Sequence, residues 1–388
     1  MNWADRISPV VNSIPPSGIR RFFDVVAEMK DVISLGVGEP DFVTPWHIRE
    51  SCVYGLQKGY TAYTSNYGLL ELREEIVKRI KHLYDVTYNP RCEALVTVGV
   101  SEALDLAMRA IITPGDEVLV PEPSYVSYKA CVTLAGGVPI PVTTTQENDF
   151  RVTVDQLEKL VTPKTKALLI GYPNNPTGAI MPRDALLKVA EFASRHDLIV
   201  ISDEIYSDLT YEGTHTCFSS LPDMRDRTIL LNGFSKAYAM TGWRIGYALS
   251  NPAFIGAMTK IHQYTMLCAP ITAQVAAIEA LKHGEEPMRK MHAEYNQRRR
   301  LMIEGMRKIG LSCFEPKGAF YIFPSIKETG MTSLQFAEQL LKTEKVALVP
   351  GDAFGESGEG FVRCSYAASL SNLSEALKRI ERFIKSRS

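Results

Sequence analysis

The chain has 388 residues and little that would bind a polyanion, a metal or a membrane. Lysine plus arginine number 43 and aspartate plus glutamate 44, so the net charge of -1 offers no pull on nucleic acid or an anionic membrane surface. The seven cysteines (Cys52, Cys92, Cys131, Cys217, Cys268, Cys313 and Cys364) never stand as C-x-x-C. That argues against a zinc ribbon or a disulfide framework and fits a reducing compartment. The seven histidines form no H-x-x-x-H pair; most are expected at the surface, and no metal is expected. No apolar run approaches the roughly 20 residues of a membrane helix. The opening "MNWADRISPVVNSIPP" lacks the apolar stretch of a secretory leader, so the cytoplasm is the expected location. No G-x-x-x-x-G-K-[ST] occurs, which removes the P-loop reading. "GVGEPD" lacks a third glycine and puts Pro40 where a helix should start, which makes a dinucleotide fingerprint poor.

What is present alternates. Apolar residues make up 45% and charged residues 22%, as in an ordinary globular chain, and the length suits two or three domains. The first ~45 residues are rich in proline and glycine and read as an arm with one helix, "IRRFFDVVAEMK". Beyond it, "LLELREEIVKRIKHLY" has helical periodicity. "EALVTVG", "DEVLVPEP", "KALLIGYP", "LIVISDE" and "RTILLNGFS" read as short apolar strands, with helices such as "SEALDLAMRAII" and "RDALLKVAEFASRH" between them. This alternation predicts an α/β domain with a mostly parallel sheet and helices on both faces. A long charged helix, "EPMRKMHAEYNQRRRLMIEGMRKIG", then leads to "GAFYIFPSI", "VALVPG", "GFVRCSYA" and a last helix, which read as a smaller α+β domain. The expected boundaries are an arm over 1–45 joining the small domain, a large domain over 46–283 and the small domain over 284–388. The "NQRRR" run reads as a solvated helix face.

In a doubly wound sheet, ligands sit at the carboxyl ends of strands. After one strand come Gly99, Val100, Ser101 and Glu102, opening a helix whose first amides suit an anion. After others come Asn174 and Asn175; Asp203 and Tyr206; and Ser235, Lys236 and, further on, Arg244. In "LNGFSKAYAMTGWRIGY" a lone lysine and a lone arginine stand among Gly, Ser and Thr, where a solvated face would carry more charge. Amides for a phosphate, a carboxylate for a ring nitrogen, a phenol and an amide for a ring oxygen, and an amine for an aldehyde together describe pyridoxal phosphate.

The segments "SLGVGEPDF", "YTAYTSNYGLLELR", "VGVSEAL", "PSYVSY", "YPNNPTGA", "SDEIY", "GFSKAYAMTGWRIGY", "KGAFYIFP" and "VRCSYA" stand in this order along nearly the whole chain. Together they resemble the class I aminotransferases of fold type I. The resemblance implies that Lys236 carries pyridoxal phosphate covalently and, once displaced by substrate, moves a proton between the substrate Cα and the cofactor. It implies that Asp203 pairs with the ring nitrogen, and that Asn175 and Tyr206 bond the ring's phenolic oxygen. Tyr125 stacks on the ring. Ser235, Arg244, the Val100–Ser101–Glu102 turn and Tyr63 of a neighbouring subunit hold the phosphate. Arg363, supported by Asn175, clamps the substrate α-carboxylate close to the Gly38 backbone. A homodimer with shared active sites follows, acting on an amino acid and a 2-oxo acid.

Taken singly, each residue also has a plain reading. Lys236 could be a surface lysine, Asp203 a helix cap, "NNPTG" a turn, Arg363 a surface arginine, and Tyr63 and Tyr125 packing aromatics. The wording of the motifs is similar to the prokaryotic gamma subgroup, which includes aromatic, broad aspartate and N-acetyl-diaminopimelate aminotransferases. Aspartate-specific members place a partner arginine where this chain has Tyr264, and no arginine occurs from Ile261 to Pro270. Arg20 and Arg21 are weak substitutes. Aromatic or broad specificity with 2-oxoglutarate is therefore expected first. Aspartate, N-acetyl-diaminopimelate or a β-lyase reaction on the same scaffold are the alternatives.

Overall fold

The computed structural model describes residues 3–16, 29 and 31–387. The helix expected over 19–30, with Arg20 and Arg21, lies outside them except for Met29. The central element is a seven-stranded sheet: β1 (Ala94–Thr97), β2 (Glu117–Glu122), β3 (Val138–Thr143), β4 (Thr165–Gly171), β5 (Ile199–Asp203), β6 (Thr228–Gly233) and β7 (Gly246–Leu249). Their order is β1-β7-β6-β5-β4-β2-β3. From β6 across to β3 every pairing is parallel, while β7 runs antiparallel to both β6 and β1.

Apart from the half-exposed edge strand β3, the strands are largely apolar and buried because both faces are covered. The helices concerned are α1 (Trp46–Gln57), α2 (Leu70–Tyr84), α3 (Val100–Ile111), α4 (Ser127–Leu134), α5 (Val154–Glu158), α6 (Arg183–Arg195), α7 (Pro252–Thr265) and α8 (Ile271–His283). On one face Val118, Leu169, Ile201 and Leu231 pack against Leu104 and Met108 of α3 and Ile255 and Met258 of α7. On the other, Leu168 and Val200 meet Leu186 and Val189 of α6, and Val96 and Leu230 meet Ile76 of α2 and the alanines of α8. Among the described residues no helix is long and apolar enough to cross a membrane.

A second core forms around α9 (Glu285–Ile309), α10 (Ser333–Glu344) and α11 (Leu370–Lys385), which bury Tyr295, Met302, Phe336 and Phe383. A three-stranded antiparallel sheet joins 349–350, 362–365 and 321–322. Residues 33–34 pair in parallel with 346–347, and Leu35 is buried in the same core, so the chain's early segment is stitched to its late one.

Two expectations are corrected. The "NQRRR" run is only in part a solvated face, with Gln297 and Arg300 exposed. Arg298 and Arg299 are buried; Arg298 binds Asp41 at 2.7 Å, and Arg299 binds Glu212 and the Pro316 carbonyl, each at 2.7 Å. Their charge is tolerated inside because carboxylates and carbonyls meet it. Nor are most histidines at the surface: only His82 and His283 are exposed, and His262 is fully buried.

Candidate active site

Parallel strands in register end side by side. Gly171 of β4 stands beside Asp203 of β5, and Asp203 beside Leu231 of β6. Lys236 follows β6 by three residues. Because β7 runs the other way, its beginning lies at this same edge, with Gly246 opposite Gly233. Arg244, two residues before β7, is thereby brought to the site. The same register places α3: a Cβ on Gly246 would sit 2.8 Å from the Gly99 carbonyl carbon and the Val100 nitrogen. Glycine at 246 thus lets the start of α3 rest on the sheet edge. Arg244 (φ 52°) folds back over that start, its Nη2 lying 2.8 Å from where a Gly99 Cβ would be.

These segments enclose a cavity of about 350 Å³. Lys236 Nζ donates to the Gly38 carbonyl at 2.7 Å. Asp203 accepts the Tyr128 hydroxyl at 2.9 Å and the Ile205 N–H at 3.2 Å. Arg363, buried, donates from Nη1 to Asn175 at 2.9 Å and from Nη2 to the Gly36 carbonyl at 2.5 Å; its Nε has no partner among the described residues. Tyr206 and Tyr321 share a hydrogen bond between hydroxyls at 2.7 Å. A Cβ at Gly38 would lie 2.4 Å from the Tyr321 hydroxyl, so only a glycine backbone passes this close.

The electrostatics sort the groups. Burial pushes the Lys236 amine down to about 8, against the pull of Glu39. A lysine of this kind is a nucleophile near neutral pH. Burial pushes Asp203 up to about 6, despite its hydrogen bonds. A cation beside it would restore the carboxylate.

Of the residues singled out in the sequence, Gly38, Val100, Ser101, Tyr125, Asn175, Asp203, Tyr206, Ser235, Lys236, Arg244 and Arg363 line this one cavity. Two do not. Tyr63 is 83% exposed on the outer surface. Glu102 turns away: its carboxylate accepts the Val98 N–H at 2.5 Å and meets His262 Nδ1 at 2.7 Å. The sequence reading passed over Tyr128, Tyr321, Glu39 and Thr241, which also line the wall. Tyr128 and Tyr321 lie inside the motifs "PSYVSY" and "KGAFYIFP", and that placement was the available signal. Glu39 and Thr241 carried none.

The donor set suits one cofactor. Helix-start amides, Ser101, Ser235 and the Arg244 guanidinium suit a phosphate. The buried Asp203 suits a protonated ring nitrogen, and an activated amine lies between them. Arg363, whose buried Nε is unpaired among the described residues, keeps bonding capacity for a second anion. The fold and the site together define a pyridoxal-phosphate enzyme on a doubly wound α/β scaffold.

Comparison with known proteins narrows the class. The family model "Aminotransferase class I and II" matches residues 30–380. The putative aminotransferase YugH of Bacillus subtilis is 54% identical over 378 residues, covering 97% of this chain and 98% of that one. An aspartate aminotransferase of Pyrococcus abyssi is 46% identical over 388 residues, with 99% of each covered. The crystal structure of an aromatic aminotransferase from Pyrococcus horikoshii superposes with a TM-score of 0.91 at 45% identity, covering 95% of this chain and 99% of that one. The chain belongs to the class I and II aminotransferases and is a pyridoxal-phosphate-dependent transaminase.

Proposed function

We propose that this enzyme moves an amino group between an L-amino acid, aromatic or of broad type, and a 2-oxo acid such as 2-oxoglutarate. The observation that carries this reading is the cavity's short supply of cations. Among the described lining residues they are Lys236, Arg244 and Arg363, and each already has a task. The remaining wall offers Tyr125, Tyr128, Tyr206, Tyr321, Leu104 and Ile205, with Glu39 as an anion. An aromatic side chain finds partners there, and a second carboxylate finds no free cation.

When bound, pyridoxal phosphate supplies an aldehyde for the amino group and a ring that accepts the electron pair released at the substrate Cα. The chain's own groups do the rest. The first turn of α3, Ser101, Ser235 and Arg244 hold the phosphate. Asp203 holds the ring nitrogen in its protonated form. Asn175 and Tyr206 would bond the phenolic oxygen, and Tyr125 would pack against the ring. Arg363, braced by Asn175 and the Gly36 carbonyl, orients the substrate α-carboxylate so that the Cα proton faces Lys236. Lys236 Nζ would take that proton from Cα and hold it for return. The same groups serve the donor and acceptor half-reactions.

The active unit in this reading is a homodimer in which Tyr63 reaches the partner's phosphate. Its exposure supports this, as does the exposure of the large apolar side chains of Val43, Trp46, Tyr54, Tyr60 and Tyr264, which a partner would cover. Seven free cysteines agree with a cytoplasmic setting. The deciding experiment is kcat/KM for a panel of amino donors with 2-oxoglutarate. Phenylalanine or tyrosine should match or exceed aspartate. A clear preference for aspartate, or pyruvate and ammonia released without any oxo acid, overturns the reading.

A further inference from the structure

A carboxylate in the first turn of α3 is an awkward neighbour for a phosphate, because it competes for the same amides and repels the same charge. Glu102 stands in that turn, yet its side chain is drawn off the cavity wall. One oxygen accepts the Val98 N–H at 2.5 Å and the other meets His262 Nδ1 at 2.7 Å. An ionised carboxylate only accepts, so the Nδ1–H of His262 is the donor. His262 lies on α7, 0% exposed, and its Nε2 has no partner among the described residues. A buried ring nitrogen without a partner is costly, and an apolar residue of similar shape would avoid that cost. The gain visible in the structure is the grip on Glu102.

We infer that His262 is a positioning residue for the phosphate end of the site. By holding Glu102 against the Val98 N–H, it fixes the turn that starts α3, leaves the Val100 and Ser101 amides to the ligand, and keeps a negative charge away from them. The inference rests on the reading that this turn holds the cofactor's phosphate.

Cofactor-free protein titrated with pyridoxal phosphate and with unphosphorylated pyridoxal, followed by absorbance, separates the possibilities. His262→Phe and His262→Gln lack a donor at the Nδ1 position. His262→Asn places an amide N–H close to it. The Phe and Gln variants should bind pyridoxal phosphate on the order of tenfold or more weakly, as loss of a hydrogen bond to a charged group implies. Their affinity for pyridoxal should not change, and the Asn variant should recover most of the loss. Should His262→Phe fail to fold, the Gln and Asn pair carries the test alone. Unchanged affinity for pyridoxal phosphate, or equal weakening toward both ligands, overturns the inference. Arg244→Ala is the control for the underlying reading: it should erase the preference for the phosphorylated ligand. If it does and the His262 variants do not, the positioning role alone fails. If Arg244→Ala leaves the preference intact, the phosphate site itself has been misplaced.

Discussion

Replacing Asp203 by asparagine tests the charge placement in the cavity through stability. Burial pushes this carboxyl from 3.8 up to about 6, while Tyr128, Ile205 and Lys236 pull it back without outweighing desolvation. Burial favours the acid over the carboxylate. The unfolded chain ionises at the ordinary value, so the penalty is absent below pH 3.8 and complete above about pH 6. At about 1.36 kcal/mol per unit, it amounts to roughly 3 kcal/mol at pH 7.5 and about half that at pH 5. The amide of the variant cannot ionise. Whatever constant cost the substitution carries cancels when two pH values are compared. In urea melts of cofactor-free protein, the stability of Asp203→Asn relative to wild type should therefore improve by about 1–2 kcal/mol between pH 5 and pH 7.5. Saturating pyridoxal phosphate should stabilise wild type more than the variant at pH 7.5, because a ring cation then meets the carboxylate. The same relative stability at both pH values, or equal stabilisation of both proteins by the cofactor, refutes the argument.

Arg363→Lys keeps a charge but loses the planar fork that Asn175 and the Gly36 carbonyl brace. KM for both the amino acid and the oxo acid should rise on the order of tenfold or more in steady-state assays; a change under about twofold would remove Arg363 from substrate binding. Lys236 should be modified by an amine-reactive reagent with half-maximal rate near pH 8 in cofactor-free protein, since burial favours its neutral form. Peptide mapping by mass spectrometry reads this, and a midpoint at the ordinary 10.5 would contradict the buried setting.

Much of the site was legible because its residues sit immediately after apolar strands, and strand ends are marked in the chain by a change of composition. Thr97, Gly171, Asp203 and Gly233 close four such runs. What could not be read there depends on pairing across the chain. Nothing in "GYAL" says that β7 runs antiparallel between β1 and β6, and that reversal is what delivers Arg244. The strand "VPIPVT" was missed because Pro139 and Pro141 argue against a strand, and the sheet accepts them only because β3 is its edge. Arg298 and Arg299 read as surface charge, since Asp41 and Glu212 lie far away in sequence. His262 gave no local sign for the same reason, its partner being 160 residues distant.

The two guanidinium groups bear on more than binding. After burial, Arg363 and Arg244 are what hold the Lys236 amine down, with Glu39 and Asp203 pulling it up. In the proposed reading each guanidinium is also the seat of an anion, the phosphate at Arg244 and the substrate carboxylate at Arg363. An anion seated on either cancels part of the positive field at Lys236 and raises its affinity for a proton. With the phosphate on Arg244 alone the amine would be more nearly neutral, which suits attack on an aldehyde, and with the substrate carboxylate also on Arg363 it would be most basic, which suits taking a proton from carbon. One lysine can serve both steps because the ligands that bring the chemistry also change the charge around it.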